Sequence, residues 1–212
     1  LAGEVAGKPA RGTAALSTQP DGTRRLSGLD LSIGSVTAKG DVALRTDNLA
    51  EGSLTIAAGD LADVAALALT QIAGRLNADV RLDVADGRQR AAVKASAERL
   101  QAMGRSVGAA NIDATVVDPT GIPLVNGTAD LRAVDLSGVV IETAALRANG
   151  NATGTDLTLD AVAQGTTLRT AGRLEPREGG ARLRLDRLTA ARGNLNAAMT
   201  APATFTLANG AV

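Results

Sequence analysis

The sequence predicts an all-β fold: an elongated, mainly antiparallel, curled sheet with one short helix near residues 60–70. Three observations carry this expectation. Apolar and polar residues alternate with period two through most of the chain. Turn-forming pairs recur between the alternating runs. Large rings are nearly missing, with one Phe and no Trp or Tyr in 212 residues. A core of this size normally holds aromatic side chains that bury some 150–250 Å² each. Either the core is thin, or the apolar surface serves something other than self-packing.

The clearest strand is Gly74-Arg-Leu-Asn-Ala-Asp-Val-Arg-Leu-Asp-Val84. Leu76, Ala78, Val80, Leu82 and Val84 point one way, and Arg75, Asn77, Asp79, Arg81 and Asp83 the other. The same alternation occurs in Val36–Leu44, Leu54–Ala58, Ala91–Ala97, Ile112–Val116, Leu157–Ala163, Leu168–Leu174 and Ala181–Leu185. The wet face mixes Arg with Asp, which suits opposite-charge pairs between neighbouring strands. Gly-x-apolar-x-apolar recurs at Gly12, Gly40, Gly52, Gly74, Gly108, Gly127, Gly172, Gly179 and Gly193, so glycine is expected to open strands. The uneven intervals describe loose hairpin units, not a fixed-period solenoid. Asn126-Gly127, Asn149-Gly150, Asn209-Gly210 and Asp118-Pro-Thr-Gly121 are the expected turns. Short turns between consecutive strands imply antiparallel pairing.

One segment has helical spacing. In Asp60–Leu69, residues Leu61, Val64, Ala65 and Ala68 recur on one face, Asp60 suits an N-cap and Asp63 the first turn. It reads as a connector packed on the sheet. Ala97–Met103 is a weaker helix candidate.

Composition excludes several functions. Without His or Cys there is no zinc finger, haem His ligand, Cys nucleophile, Ser-His-Asp triad or disulfide. Lys plus Arg and Asp plus Glu are both 22, so no basic stripe marks nucleic-acid binding. The basic residues are Arg apart from Lys8, Lys39 and Lys94, the bias of a GC-rich bacterial genome. No apolar run approaches the roughly 18 residues of a membrane helix. The chain starts at Leu1 without a signal-peptide pattern, so residues 1–212 read as one continuous segment of a longer protein.

Catalytic motifs are missing. Gly7-Lys8 is followed by Pro9 and lacks the rest of a phosphate loop, and no Gly-x-Ser-x-Gly elbow occurs. Asp79/Asp83 and Asp156/Asp160 share strand faces, but alternation with Arg or Thr explains them as solvated positions. Gly154-Thr-Asp156 lacks the apolar residue of a calcium-binding β-roll turn, because Thr158 stands there. Asn126-Gly-Thr128 and Asn151-Ala-Thr153 fit the glycosylation sequon, and a turn role explains them better in a bacterial chain. The expectation is a protein that is not an enzyme, with no cofactor and no metal.

The dry face remains. About a dozen strands at roughly 4.8 Å would make a ribbon on the order of 55–60 Å long, whose apolar face must be covered. A second sheet could cover it, or the ribbon could fold into a U-shaped trough around a ligand. The trough explains the missing rings better, because bulky rings would fill it. A chain of about sixteen carbons gains on the order of 10 kcal/mol from burial at about 0.8 kcal/mol per methylene. The expected groove lining is Val36, Val42, Leu44, Leu54, Ile56, Leu76, Val80, Leu82, Val84, Val93, Ile112, Val116, Leu131, Leu157, Leu159, Leu168, Leu174, Leu183, Leu185 and Leu195.

Gly52-Ser-Leu-Thr-Ile-Ala-Ala-Gly-Asp-Leu-Ala-Asp-Val-Ala-Ala-Leu, followed by Ile72-Ala-Gly-Arg-Leu-Asn-Ala-Asp-Val80, resembles the periplasmic part of AsmA-like proteins of the TamB type. Ala145-Leu-Arg-Ala-Asn-Gly150, Leu157-Thr-Leu-Asp-Ala-Val-Ala-Gln-Gly165, Leu168-Arg-Thr-Ala-Gly172 and Ala201-Pro-Ala-Thr-Phe-Thr-Leu-Ala-Asn-Gly210 have the same cadence. The resemblance spans essentially the whole chain and is one of texture and spacing. It implies a β-taco groove in the periplasm of a Gram-negative bacterium, in a protein held in the inner membrane by an anchor outside this chain. It also implies phospholipid acyl chains as cargo, transport between the two membranes, support of outer-membrane protein assembly, and an outer-membrane partner of the Omp85 type, TamA. Two alternatives stay open: a structural β-solenoid or adhesin segment, and a chaperone-like holder of outer-membrane strands.

Overall fold

Extended backbone forms wherever the alternation runs. The structure, a computed structural model, describes residues 2–5, 7–67, 69–119, 123–151, 153–177 and 180–208. Its strands are β1 (Ala2–Val5), β2 (Lys8–Thr18), β3 (Arg24–Ile33), β4 (Val36–Leu44), β5 (Ala50–Ala58), β6 (Ile72–Ala85), β7 (Arg88–Ala102), β8 (Arg105–Val117), β9 (Leu124–Leu136), β10 (Val139–Asn151), β11 (Gly154–Ala163), β12 (Thr166–Arg177), β13 (Gly180–Arg192), β14 (Leu195–Ala198) and β15 (Ala203–Ala208). Each alternating run lies inside one of them, and Val36–Leu44 coincides with β4. Strands β1 to β14 pair antiparallel with their chain neighbours in strict sequence order, in one curled sheet that does not close on itself. The outer edge of β13 is shared: β14 pairs with its second half and β15 with its first.

The sheet is a single layer. Apart from a few residues of β9 and β11, substantial contacts join only hydrogen-bonded neighbours and the short segment between β5 and β6. The accessible surface is 13323 Å². A compact monomer of this mass exposes roughly 9,100 Å². The excess belongs to a sheet whose apolar face has no second layer over it.

The hairpin turns are not the expected Asn-Gly pairs. Asn126-Gly127 lies inside β9 and Asn149-Gly150 inside β10. There Asn126 is register partner of Asn149, and its Oδ1 accepts the Gly150 N–H at 2.9 Å. Asn126 therefore has a cross-strand role and not a turn role. Four two-residue turns, Asp86-Gly87, Met103-Gly104, Ser137-Gly138 and Gln164-Gly165, have positive φ at both positions, and two more, Gly34-Ser35 and Gly193-Asn194, have it at the first position alone. Asn151 does work at a turn, where its Oδ1 accepts the Thr153 N–H at 3.0 Å. Asp118 has φ 58, while Thr120, Gly121, Gly179 and the Asn209-Gly210 pair lie outside the described residues.

The glycines expected to open strands do not do so, although Gly154 and Gly180 open β11 and β13. Gly12, Gly40, Gly52, Gly74, Gly108, Gly127 and Gly172 are interior to strands, and Gly193 is in a turn. Gly40 and Gly52 show why. They stand two register pairs apart across β4 and β5 with φ 153 and 142, and a Cβ on Gly40 would collide with the Ser53 carbonyl and one on Gly52 with the Asp41 carbonyl. The two strands approach too closely there for any side chain.

The helix shrinks to a 3-10 turn, Leu61–Val64. Asp60 caps it as expected, its Oδ1 accepting the Ala62 N–H at 3.0 Å. Only four residues wind, because a lone turn has too few hydrogen bonds to offset nucleation, and Leu69 then takes φ 52. Ala68 lies outside the described residues. The weaker candidate, Ala97–Met103, is strand as far as Ala102. The three-residue step from Ala97 to Leu100 that looked helical is a β-bulge at Arg99, φ 50.

Replacing Gly52 with Ala should cost about 1–3 kcal/mol through backbone strain at its positive φ. Gly3→Ala, with nothing within 4 Å of the added Cβ, should be nearly neutral. Urea melts with unchanged slope and a midpoint lowered only for Gly52→Ala check both.

Candidate functional site

Following the register across the sheet places all the expected lining residues on one face. Val36, Val42, Leu44, Leu54, Ile56, Leu76, Val80, Leu82 and Val84 connect through β4, β5 and β6. Val93, Ile112, Val116 and Leu131 follow through β7, β8 and β9. Leu157, Leu159, Leu168, Leu174, Leu183, Leu185 and Leu195 continue it to β14. Across it runs a row with one residue from each of fourteen strands, at the strand ends in β3 to β5 and further inside from β6 onward: Gly3, Ala10, Ile33, Val36, Ala58, Leu76, Ala97, Ala110, Leu131, Ala144, Ala161, Leu168, Ala190 and Ala197. None is polar. At about 4.8 Å per strand the row is roughly 60 Å long.

Ile33, Ala58, Ala97, Ala110 and Ala161 are buried although no layer lies above them. Side chains on a convex surface spread apart, and on a concave one they converge, so the row marks the inside of the curl. At its β1–β3 end, Gly3, Val5, Ala10, Leu29, Leu31 and Ile33 line an open hollow of about 400 Å³. The wet face has hollows too, one of about 800 Å³ over Asn111, Asp130, Asp160 and Arg169, as a twisted, saddle-shaped sheet must.

The face also contains residues that strict alternation misses. Strands β7 to β10 each carry one extra residue, and the four stand opposite one another: Arg99, Gly108, Ala133 and Glu142. Arg99 and Ala133 both have φ 50. This crease reverses the alternation, so that Leu100, Val107, Val134 and Ile141 join the dry face beyond it, and Val134 is buried. The signal is present in the sequence as a three-residue step between apolar positions (Ala97 to Leu100, Val107 to Ala110, Leu131 to Val134, Ile141 to Ala144).

Among the described residues in register on this face, charges stand only near strand ends, at Lys8, Arg24, Arg105 and Arg192. Hydroxyls interrupt it at Thr155 and Thr170 and, near strand ends, at Thr18 and Thr166, and Thr155 is 2 % exposed. Phe205 faces the same way, opposite Leu183 at the open edge. Gln89 shares the face and closes a gap in the ladder: its Nε2 donates to the Ala50 carbonyl at 2.9 Å, and its Oε1 accepts the Ala50 N–H at 2.6 Å.

The opposite face carries the cross-strand ion pairs. Lys39 meets Asp30 at 3.0 Å, Arg90 meets Asp83 at 2.6 Å, and Lys94 meets Asp113 at 3.4 Å. Asp79 accepts the Thr55 hydroxyl at 2.7 Å, Asp156 pairs with Arg173, and Asp160 pairs with Arg169. Each expected carboxylate pair is thus divided among separate cross-strand partners. Such exposed pairs are screened by solvent and contribute little individually.

One charged cluster anchors the segment between β5 and β6. Asp63 accepts from Lys8 Nζ at 2.8 Å and from the Ser35 N–H at 2.7 Å, with Gly34 leaving room for the carboxylate. The Lys8 hydrogen bond, then the Ser35 N–H, hold its carboxyl down at about 2.

The chain matches no family model, no curated protein and no solved structure.

Because the Asp63 carboxyl is depressed in the folded state, its stabilisation is complete above its ordinary 3.8 and lost as pH falls through about 2. Protection of the amides of residues 60–67, relative to an unstructured chain at the same pH, should therefore be lost between pH 4 and 2 ahead of that of the central strands, and Asp63→Asn should lack it already at pH 7.

Proposed function

We propose that this protein is a non-enzymatic segment of a periplasmic lipid-conducting groove. The observation that carries the reading is the uncovered apolar row, about 60 Å long, three times the length of one extended acyl chain of about 20 Å. Its side chains are aliphatic and mostly small, so the floor is shallow and has no ring standing in the track. Nothing along it would fix one ligand in one place, which suits passage better than storage. The AsmA-like resemblance supports phospholipid as the cargo, the periplasm of a Gram-negative bacterium as the location, and an outer-membrane partner of the TamA type. On this reading the full-length protein joins the inner membrane through an anchor outside this chain, and moving phospholipid between the membranes supports outer-membrane protein assembly.

A second reading, a holder of outer-membrane protein strands, has one observation in its favour. The open edge strand β15 (Ala203–Ala208) contains no charge and no Pro, the devices that usually blunt an edge. Crosslinks from Thr204 or Thr206 to an unfolded client would support it, and crosslinks from the central row to lipid would support the groove.

The groove is tested by lipid content. Phospholipid extracted from the purified chain should fall at least tenfold in the double variant Leu82→Asp, Leu159→Asp. It should stay unchanged in Thr158→Asp on the opposite face, with the far-UV circular dichroism of both intact. Equal lipid content in all three proteins contradicts the proposal.

A further inference from the structure

The connection from β5 to β6 is longer than its two strands need. They are adjacent and antiparallel, and two residues join such strands at Gly34-Ser35 and at Ser137-Gly138. Between Ala58 and Ile72 the chain instead travels back along the sheet. The Gly59 N–H donates to the Ser35 carbonyl at 3.2 Å, and the Asp60 N–H to the Ser35 hydroxyl at 2.8 Å. Asp63 then reaches Lys8, which stands on the dry face of β2, three strands from β5. Leu61, Val64 and Ala65 are half-buried, and the 3-10 turn packs against β4 and β6.

This detour coincides with a change in the floor beside it. Ile33 and Val36 flank their two-residue turn as Leu136 and Val139 flank theirs, on the same face. Leu136 is 45 % exposed and Val139 50 %, and Leu195 at the β13–β14 turn is 77 % exposed. Ile33 is 8 % exposed, and Ala58 at the end of β5 is 4 % exposed. A strand end has few neighbours to converge with, so the curl alone shields it least. The extra cover at this margin comes from the detour. Its hold is slight, because it consists of one turn and a handful of exposed contacts around Asp63 and Ser35. A segment held in this way opens ahead of the sheet that carries it.

We propose that residues 59–67 form a releasable strap that shuts the margin of the apolar floor between β2 and β5, with the Lys8–Asp63 pair as its latch. Released, the strap uncovers Ile33, Val36 and Ala58 and opens the floor at this margin. The strap does not depend on lipid as the cargo, since it shields the floor whatever fills the rest of it.

The chain has no Cys, so single thiols report the cover directly. Ala58→Cys lies under the strap, and Ala161→Cys is a buried position of the same row in β11, away from it. Both should react slowly with N-ethylmaleimide. Adding Asp63→Ala should speed the reaction at least tenfold at Ala58→Cys and less than twofold at Ala161→Cys. Lys8→Gln removes only the ion pair and should give a smaller rise at Ala58→Cys. Raising KCl from about 20 to about 500 mM should reproduce that smaller rise while Lys8 is present and add nothing in Lys8→Gln, because salt screens the latch. The strap is overturned if Asp63→Ala leaves Ala58→Cys as slow as before, or if it speeds both thiols alike, which would mean that the sheet and not the strap had loosened. A rate at Ala58→Cys that ignores both salt and Lys8→Gln overturns the latch.

Discussion

Every strand of this protein is held by its neighbours in the ladder and by almost nothing else, so hairpin register decides which side chains appear on which face. A one-residue slip in any hairpin would send its aliphatic residues to the charged face and break the central row. The two-residue turns at Asp86-Gly87, Met103-Gly104, Ser137-Gly138 and Gln164-Gly165 prevent this, because each fixes its hairpin without slack. Cross-strand charge pairs such as Lys94–Asp113 reinforce the same register, since a slip would leave them opposite the wrong residues. Their individual contributions are small, and their value is in specifying the pairing.

A single layer cannot bury its apolar residues against another element, and this one stays folded with few that are fully buried. Curling brings the central row together, and glycines at Gly40 and Gly52 let adjacent strands close up where the curvature demands it. The same economy explains the missing aromatics. A large ring on the concave face would project into the space that the curl encloses, and the single ring, Phe205, stands at the open edge. Residual hydrophobic exposure is therefore a property of the architecture, and an uncovered apolar face of this extent marks an interaction surface.

The strands and their faces were legible because alternation is a local signal. Val36–Leu44 and Gly74–Val84 read directly as β4 and most of β6. Turns and bulges were less legible, because they depend on how strands meet. Asn126-Gly127 has ideal turn chemistry, yet it lies in a strand because the flanking residues pair in both directions. The crease at Arg99, Gly108, Ala133 and Glu142 interrupts period two on four strands at once; the alternating runs stop at Ala97, return for Ile112–Val116 and resume at Leu157, so Leu100, Val107, Val134 and Ile141 fall in the gaps. The three-residue step recovers them.

The account rests on one apolar face that continues through the crease and accepts hydrocarbon. The chain has no Cys, so single cysteines bearing a nitroxide can be placed along β9 on a clean background. Residues 129–136 in lipid-loaded protein should be accessible to oxygen and shielded from a water-soluble nickel chelate at Ala129, Leu131, Val134 and Leu136, with a three-residue step across Ala133. An unbroken period of two through Ala133 and Asp135, or equal exposure of both faces to the chelate, would contradict it.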